Sequence, residues 1–166
     1  MYRKANIMFL IAETPMHAGS GDSLGIVDQP IQRERHTSFP KIEASSLKGS
    51  MREHFERELM FKIEKEETKK EEYEKNKLKV EASFGDEGQD GKSSKAGCLG
   101  FTDARLLLFP VKSMKGVFAW ITCPKIIAKL NEELKLAGVE KQFEIPKGNV
   151  SAIGNNLTVN SDNIIL

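Results

Sequence analysis

Residues 25–36 read GIVDQPIQRERH and set one carboxylate, Asp28, ahead of two guanidinium groups, Arg33 and Arg35. An acid so placed either pairs with those cations on the surface or stands as a reactive group beside an anion that they hold. Spacing alone favours the ion pair. The loop HAGSGDSLG just before it carries three glycines and His17. Successive backbone N–H groups in such a loop can form a nest for phosphate, and an imidazole donates or shuttles a proton near neutral pH. The alternative is a surface loop with a solvated histidine. The loop is expected to fold back between two extended segments, which would let His17 and Asp28 converge.

A second constellation opens a helix. In SSLKGSMR, residues 45–52, Lys48 is expected in the first turn, where the helix dipole disfavours a cation by ~0.3–1 kcal/mol. Gly49 beside it costs roughly 1 kcal/mol relative to alanine. Both choices make sense if an anion such as a phosphate binds at that terminus. Backbone N–H groups would point at it, and Gly49 would admit it closely. Ser45 and Ser46 add hydroxyl donors, and Arg52 follows one turn on. The pattern G-x-x-x-x-G-K-[ST] is absent, so this is not a Walker loop. Without a ligand, the same residues describe a helix with a poor first turn and a solvated lysine.

The elements that must carry these groups follow from hydrophobic periodicity. Residues 5–12, ANIMFLIA, are expected as a buried first strand. The stretch IVDQPIQRERHTSFPK is extended, because Pro30 and Pro40 exclude a helix interior. A helix is expected to begin at Ser45 or Ser46, with one serine as its N-cap and Leu47, Met51, Phe55, Leu59 and Ile63 as its apolar stripe. Residues 62–96 are expected as a charged, flexible insertion: a solvated helical extension, then the loop GDEGQDGKSSKAG. CLGFTDARLLLFPV and GVFAWITCP read as strands of a hairpin joined by KSMKG. PKIIAKLNEELKLAG is the clearest helix. Pro124 lies in its first turn, Ile126, Ile127, Leu130, Leu134 and Ala137 lie on one side, and Gly138 stops it. The sequence after it holds short extended pieces.

This order defines an α+β chain with a ferredoxin-like (RRM-like) βαββαβ core and insertions, in a single domain over residues 1–166. Many unrelated proteins share the order, so it assigns no function by itself. GVFAWI matches the aromatic RNA-recognition signature only loosely, so base stacking on the sheet is not the expected mode.

Composition narrows the partners. The net charge of +1 excludes a uniformly basic nucleic-acid binder. The charge is uneven, however: residues 29–52 carry five Lys/Arg against two Glu, and residues 104–125 carry four and no acid. Acid collects in residues 62–91, with ten carboxylates against seven lysines. That distribution suits an anionic partner on one face. No apolar run reaches the ~20 residues of a membrane span, and the amino-terminal apolar stretch has no small-residue cleavage site. A cytoplasmic protein without membrane attachment is expected. Cys98 and Cys123 lack metal-finger spacing and are expected as two buried thiols.

Three stretches together carry a resemblance: TPMHAGSGDSLGIVDQPIQRERHT, SSLKG opening a helix, and DARLLLFPVKS before a hairpin. The chain resembles the RAMP superfamily of CRISPR-associated proteins, and within it the Cmr4-type backbone subunits of type III-B (Cmr) effector complexes. The resemblance implies several copies stacked along a CRISPR RNA with other Cmr subunits, each cutting single-stranded target RNA paired to the guide. It implies a divalent metal, Mg or Mn. It places the cutting residue at Asp28, gives His17 a supporting role, and puts Ser45, Ser46, Lys48 and Gly49 on the guide backbone. Family members are considerably longer, so the chain is expected to be an amino-terminal fragment. The residues themselves leave Asp28 open as general base or as metal ligand. They also leave open a non-catalytic RNA-binding scaffold and a small-molecule phosphate enzyme.

Overall fold

The computed structural model describes residues 4–21, 29–65, 69–86, 88, 93–114 and 117–147, with the backbone of 158–159 and 163–164. The chain divides into two units, Thr14–Arg105 and Met1–Glu13 with Leu106–Leu166.

In the unit Thr14–Arg105, strand β1 (Lys41–Ile42) leads into helix α1 (Ala44–Glu64). Helix α2 (Lys70–Phe84), β2 (Gly85–Asp86), β3 (Lys95–Ala96) and β4 (Ala104–Arg105) follow. Strands β1 and β4 pair antiparallel, Lys41 opposite Arg105 and Ile42 opposite Ala104; β2 and β3 pair likewise. Helix α1 is free of proline and laced by i,i+4 ion pairs: Arg52–Glu56 at 2.8 Å, Glu53–Arg57, and Glu58–Lys62 at 2.9 Å. Such pairs each add a few tenths of a kcal/mol, ~0.2–0.5. Its expected stripe is half-covered at Leu47, Met51, Leu59 and Ile63, while Phe55 stays exposed.

The helix-favouring stretch after Lys62 does not run on as one extension. Helix α2 lies back on α1, with Tyr73, Lys77 and Val80 facing Glu56, Leu59 and Met60 across a groove. Phe84 at its end is buried, 5.9 Å from the Phe55 ring and stacked 6.2 Å from Phe101. Beyond β3 the chain crosses the end of α2, where the N–H groups of Cys98 and Leu99 donate to the Ala82 and Ser83 carbonyls at 2.9 and 3.0 Å. Cys98 is exposed and Cys123 half-buried. The expectation of two buried thiols is therefore corrected: Cys98 rides over the helix end rather than beneath it.

In the other unit, β5 (Phe109–Lys112) and β6 (Phe118–Ile121) form the expected hairpin, registered from Phe109 opposite Ile121 to Lys112 opposite Phe118. Helix α3 (Pro124–Leu136) follows, with Pro124 in its first turn and Leu134 buried. It ends as the sequence requires: Gly138 takes φ 76°, and the N–H groups of Gly138 and Val139 donate to Lys135 and Leu134. This is a Schellman stop, in which a left-handed glycine lets two orphan carbonyls be satisfied. Asn131 then gripes the following segment, its amide donating to the Phe143 carbonyl and accepting from the Phe143 N–H, both at 2.8 Å. Strands β7 (Thr158–Val159) and β8 (Asn163–Ile164) also pair antiparallel.

The expected first strand is corrected. Residues 5–12 enter no strand pairing with any described residue, and most of them are exposed. Apolar composition marks a segment that can be buried, but it does not supply the ladder partner that makes it a strand. The architecture is α+β, with helices and small antiparallel two-stranded sheets. No helix among the described residues is long and apolar enough to cross a membrane.

Candidate nucleic-acid interface

The Gly-rich loop and the QPIQ segment meet as antiparallel extended chains. Gly19 bridges Ile31, the Ser20 N–H donates to Pro30 O at 2.9 Å, and the Gln32 N–H donates to Ala18 O at 2.8 Å. The loop therefore folds back as its sequence requires. Its histidine lands beside the motif acid's neighbour, His17 Nε2 donating to the carbonyl of Gln29 at 2.9 Å. A carbonyl only accepts, so Nε2 carries the hydrogen and Nδ1 is the ring's acceptor when the imidazole is neutral. Asp28 itself, bonded in sequence to Gln29, lies outside the described residues.

Past this pairing the chain makes a tight turn. Arg33 bridges Pro40, the Glu34 N–H donates to Phe39 O, and Ser38 sits at φ 60°. Arg33 closes the turn with Nη1 on Ser38 O at 2.8 Å. Among the described residues of the motif, Glu34 is a tethered acid. It accepts from the Thr37 hydroxyl, pairs with Arg105 Nε at 3.3 Å, and lies 3.8 Å from His36. Arg35 is exposed and has no partner among the described residues.

Helix α1 starts at Ala44, ahead of the expected Ser45 or Ser46, and neither serine caps it. Glu43 holds the N-cap position with no side-chain cap of its own. The caps come from elsewhere in the chain. Gln32 Oε1 accepts the Glu43 N–H at 2.9 Å, and Asp103 Oδ1 accepts the Ala44 N–H at 2.9 Å. Two of the N–H groups that a helix start leaves without intrahelical partners are thus satisfied by side chains distant in sequence. At Ala44, then, the anion drawn to the helix start is a carboxylate of the same chain. Asp103 also takes Lys41 Nζ at 2.8 Å, and Lys41 reaches Glu43 at 3.1 Å. The Lys41 hydrogen bond, then the Ala44 N–H, hold the Asp103 carboxyl below its usual value. Asp103, then Glu43, raise the Lys41 ammonium.

The earlier start places Lys48 and Gly49 in the second turn, where the dipole penalty on the cation is already fading. Lys48 is half-buried with no partner among the described residues, and the exposed hydroxyls of Ser45 and Ser46 are likewise unbonded there. Arg52 is committed to Glu56. Of the expected phosphate contacts, Arg35, Lys48 and the two serines thus present available donors, while Arg33 and Arg52 are partly occupied. Sequence reasoning missed Gln32, Glu34 and Asp103. Local sequence gives no signal for Asp103, because the N–H it accepts, that of Ala44, lies 59 residues away.

The chain that carries this geometry is similar to known proteins in sequence and in fold. The chain belongs to the RAMP superfamily, whose family model matches residues 9–162. It is 39% identical, over 164 residues and 98% of its length, to the CRISPR system Cmr endoribonuclease Cmr4 of Pyrococcus furiosus, of which it covers 50%. It superposes on the crystal structure of oligomeric Cmr4 from the same organism with TM-score 0.60 and 38% identity, covering 89% of this chain and 46% of that one. It also superposes on a cryo-EM structure of type III-B Cmr-beta in the apo state, with TM-score 0.51 and 25% identity over 74% of this chain and 39% of that one. The chain spans about half the length of the curated relative it matches.

Proposed function

We propose that the chain is part of a CRISPR RNA-binding backbone subunit of a type III-B interference complex, which cleaves guide-paired target RNA at regular intervals in the cytoplasm. The observation that carries this reading is the His17–Gln29 contact, which sets an imidazole against the residue that follows Asp28. Base pairing would supply sequence recognition, so the protein needs only phosphate and sugar contacts. Lys48, Arg35, Ser45 and Ser46 are the groups available for them. Partners are the guide RNA, the target RNA, further copies of the chain in a filament, and other Cmr subunits. The likeness to oligomeric Cmr4 supports further copies of the chain, and the likeness to a Cmr-beta assembly supports other Cmr subunits. The finer fold belongs to the same proposal: a ferredoxin-like arrangement, supported by the succession of α1, the β5–β6 hairpin and α3.

The chemistry is attack of a ribose 2′-OH on the adjacent phosphate: the new P–O2′ bond closes a 2′,3′-cyclic phosphate, the P–O5′ bond breaks, and the 5′-oxygen leaves and takes up a proton as a hydroxyl. Asp28 serves either as the base that takes the hydroxyl proton or as the ligand of a divalent ion. His17, fixed through Nε2, presents Nδ1 to the reacting groups, and the arginine side chains neutralise phosphate charge. Among the described residues no three His, Cys, Asp or Glu side chains gather as a metal cage. Mg²⁺ requires none, since it is commonly held by one or two carboxylates with waters and substrate phosphates. A Mg or Mn ion would supply charge stabilisation at the phosphoryl oxygens. Chelation of the assembled complex should stop cutting, and added Mg or Mn should restore it.

The decisive experiment is Asp28→Asn in the assembled complex. Cutting of bound target should slow by about a hundredfold or more, within the range of a lost acid–base group, with target binding retained. Normal cutting refutes the assignment.

A further inference from the structure

We infer that Gln32 is a positioning residue for this cleavage, holding the His17 loop in register with the start of α1. The inference rests on the cleavage reading above. Both ends of the Gln32 amide are engaged: Nε2 donates to Gly19 O at 2.8 Å, and Oε1 accepts from the Glu43 N–H at 2.9 Å. Its backbone is engaged as well, donating to Ala18 O at 2.8 Å and accepting from the Lys41 N–H at 3.0 Å. One residue thus ties three pieces: the loop two residues beyond His17, the strand-like segment leading from Asp28, and the N-cap of the helix that presents Ser45, Ser46 and Lys48.

The chemical requirement is specific. The side chain must donate at one end and accept at the other, at a fixed separation. An amide does both, whereas a carboxylate cannot donate and would set negative charge against the Gly19 carbonyl. Glutamine in this place fixes the distance between the imidazole and the phosphate-binding helix start. Displacements of about 1 Å in such frames cost up to about a hundredfold in rate.

The test uses the full-length protein in its assembled complex, with Gln32→Glu and Gln32→Met, under single-turnover conditions at saturating target. Both variants should cut about tenfold to a hundredfold slower, with target binding changed less than about twofold. The ratio of the Gln32→Glu rate to the wild-type rate should also change with pH. That ratio should climb as acid protonates the new carboxyl and restores a donor toward Gly19 O, while Gln32→Met stays slow throughout. Unchanged rates in both variants overturn the inference. So does an equal loss in both at every pH, which would mark a general packing role. A wild-type complex that does not cut overturns the functional reading itself, and this role with it. A cutting wild type beside unaffected variants overturns this role alone.

Discussion

Gly49 faces open space where a Cβ would stand, so nothing within the described chain requires a glycine there. Alanine in its place should stabilise α1 by about 1 kcal/mol, the usual cost of a helical glycine. If the guide backbone passes over that turn, the same substitution should weaken RNA binding. Gly49→Ala is therefore expected to raise the midpoint of chemical denaturation and lower RNA affinity together; a variant that gains stability without losing affinity removes Gly49 from the interface. Lys48→Ala should weaken binding across sequences and reduce the salt slope of binding by about one. Asp103 makes the opposite kind of prediction. Its carboxyl is held low in the folded protein by Lys41 and the Ala44 N–H. The stability it contributes is present above the ordinary aspartate value and is lost as pH falls through the depressed folded value. Asp103→Ala should cost about 0.5–2 kcal/mol at neutral pH, as loss of a helix cap does. The gap between variant and wild type, read by denaturant titration, should close only in strong acid.

At the level of elements, Gly97 is the point where chain crosses chain. A Cβ there would run into the backbone of Ser83, Phe84 and Gly85. That obstruction is main chain rather than a movable side-chain tip, so Gly97→Ala should cost about 1–3 kcal/mol, in the range of an overpacked core. Loss of α2 helicity and exposure of Phe84 should accompany it in circular dichroism and hydrogen exchange. The sequence announced some elements and hid others for definite reasons. Helix α3 was legible because proline, periodic apolar residues and a terminal glycine all agree locally. The β5–β6 hairpin was legible because its strands are close neighbours. Helix α2 was not separated from α1, because Tyr73, Val80 and Phe84 form a sparse stripe within a charged run. The start of α1 was placed too late, at Ser45 or Ser46 rather than Ala44, because its caps, Gln32 and Asp103, come from outside the local window. The fold-back of the His17 loop was legible; the clamp that fixes it was not, since nothing in Gln32's own neighbourhood marks it.

At the scale of the molecule, the chain spans half of the Pyrococcus furiosus relative and leaves many large apolar side chains exposed. Trp120, the sole tryptophan, is 55% exposed and meets Phe118 edge-on at 5.5 Å. The chain alone should therefore show the red-shifted emission of a hydrated indole, readily quenched by iodide. Longer forms and assemblies that cover β6 should shift that emission to the blue. An already blue, unquenchable signal from the chain alone would contradict the exposed hairpin face. The distant caps of α1 carry one more consequence, for the order of events on the ribosome. Ala44 and the carboxylate that receives its N–H are 59 residues apart. Domains acquire structure as synthesis proceeds from the amino end, so the helix emerges well before its second cap exists. Until Asp103 arrives, the first turn of α1 is free to fray, and the register of the helix start is settled only once β4 has been made.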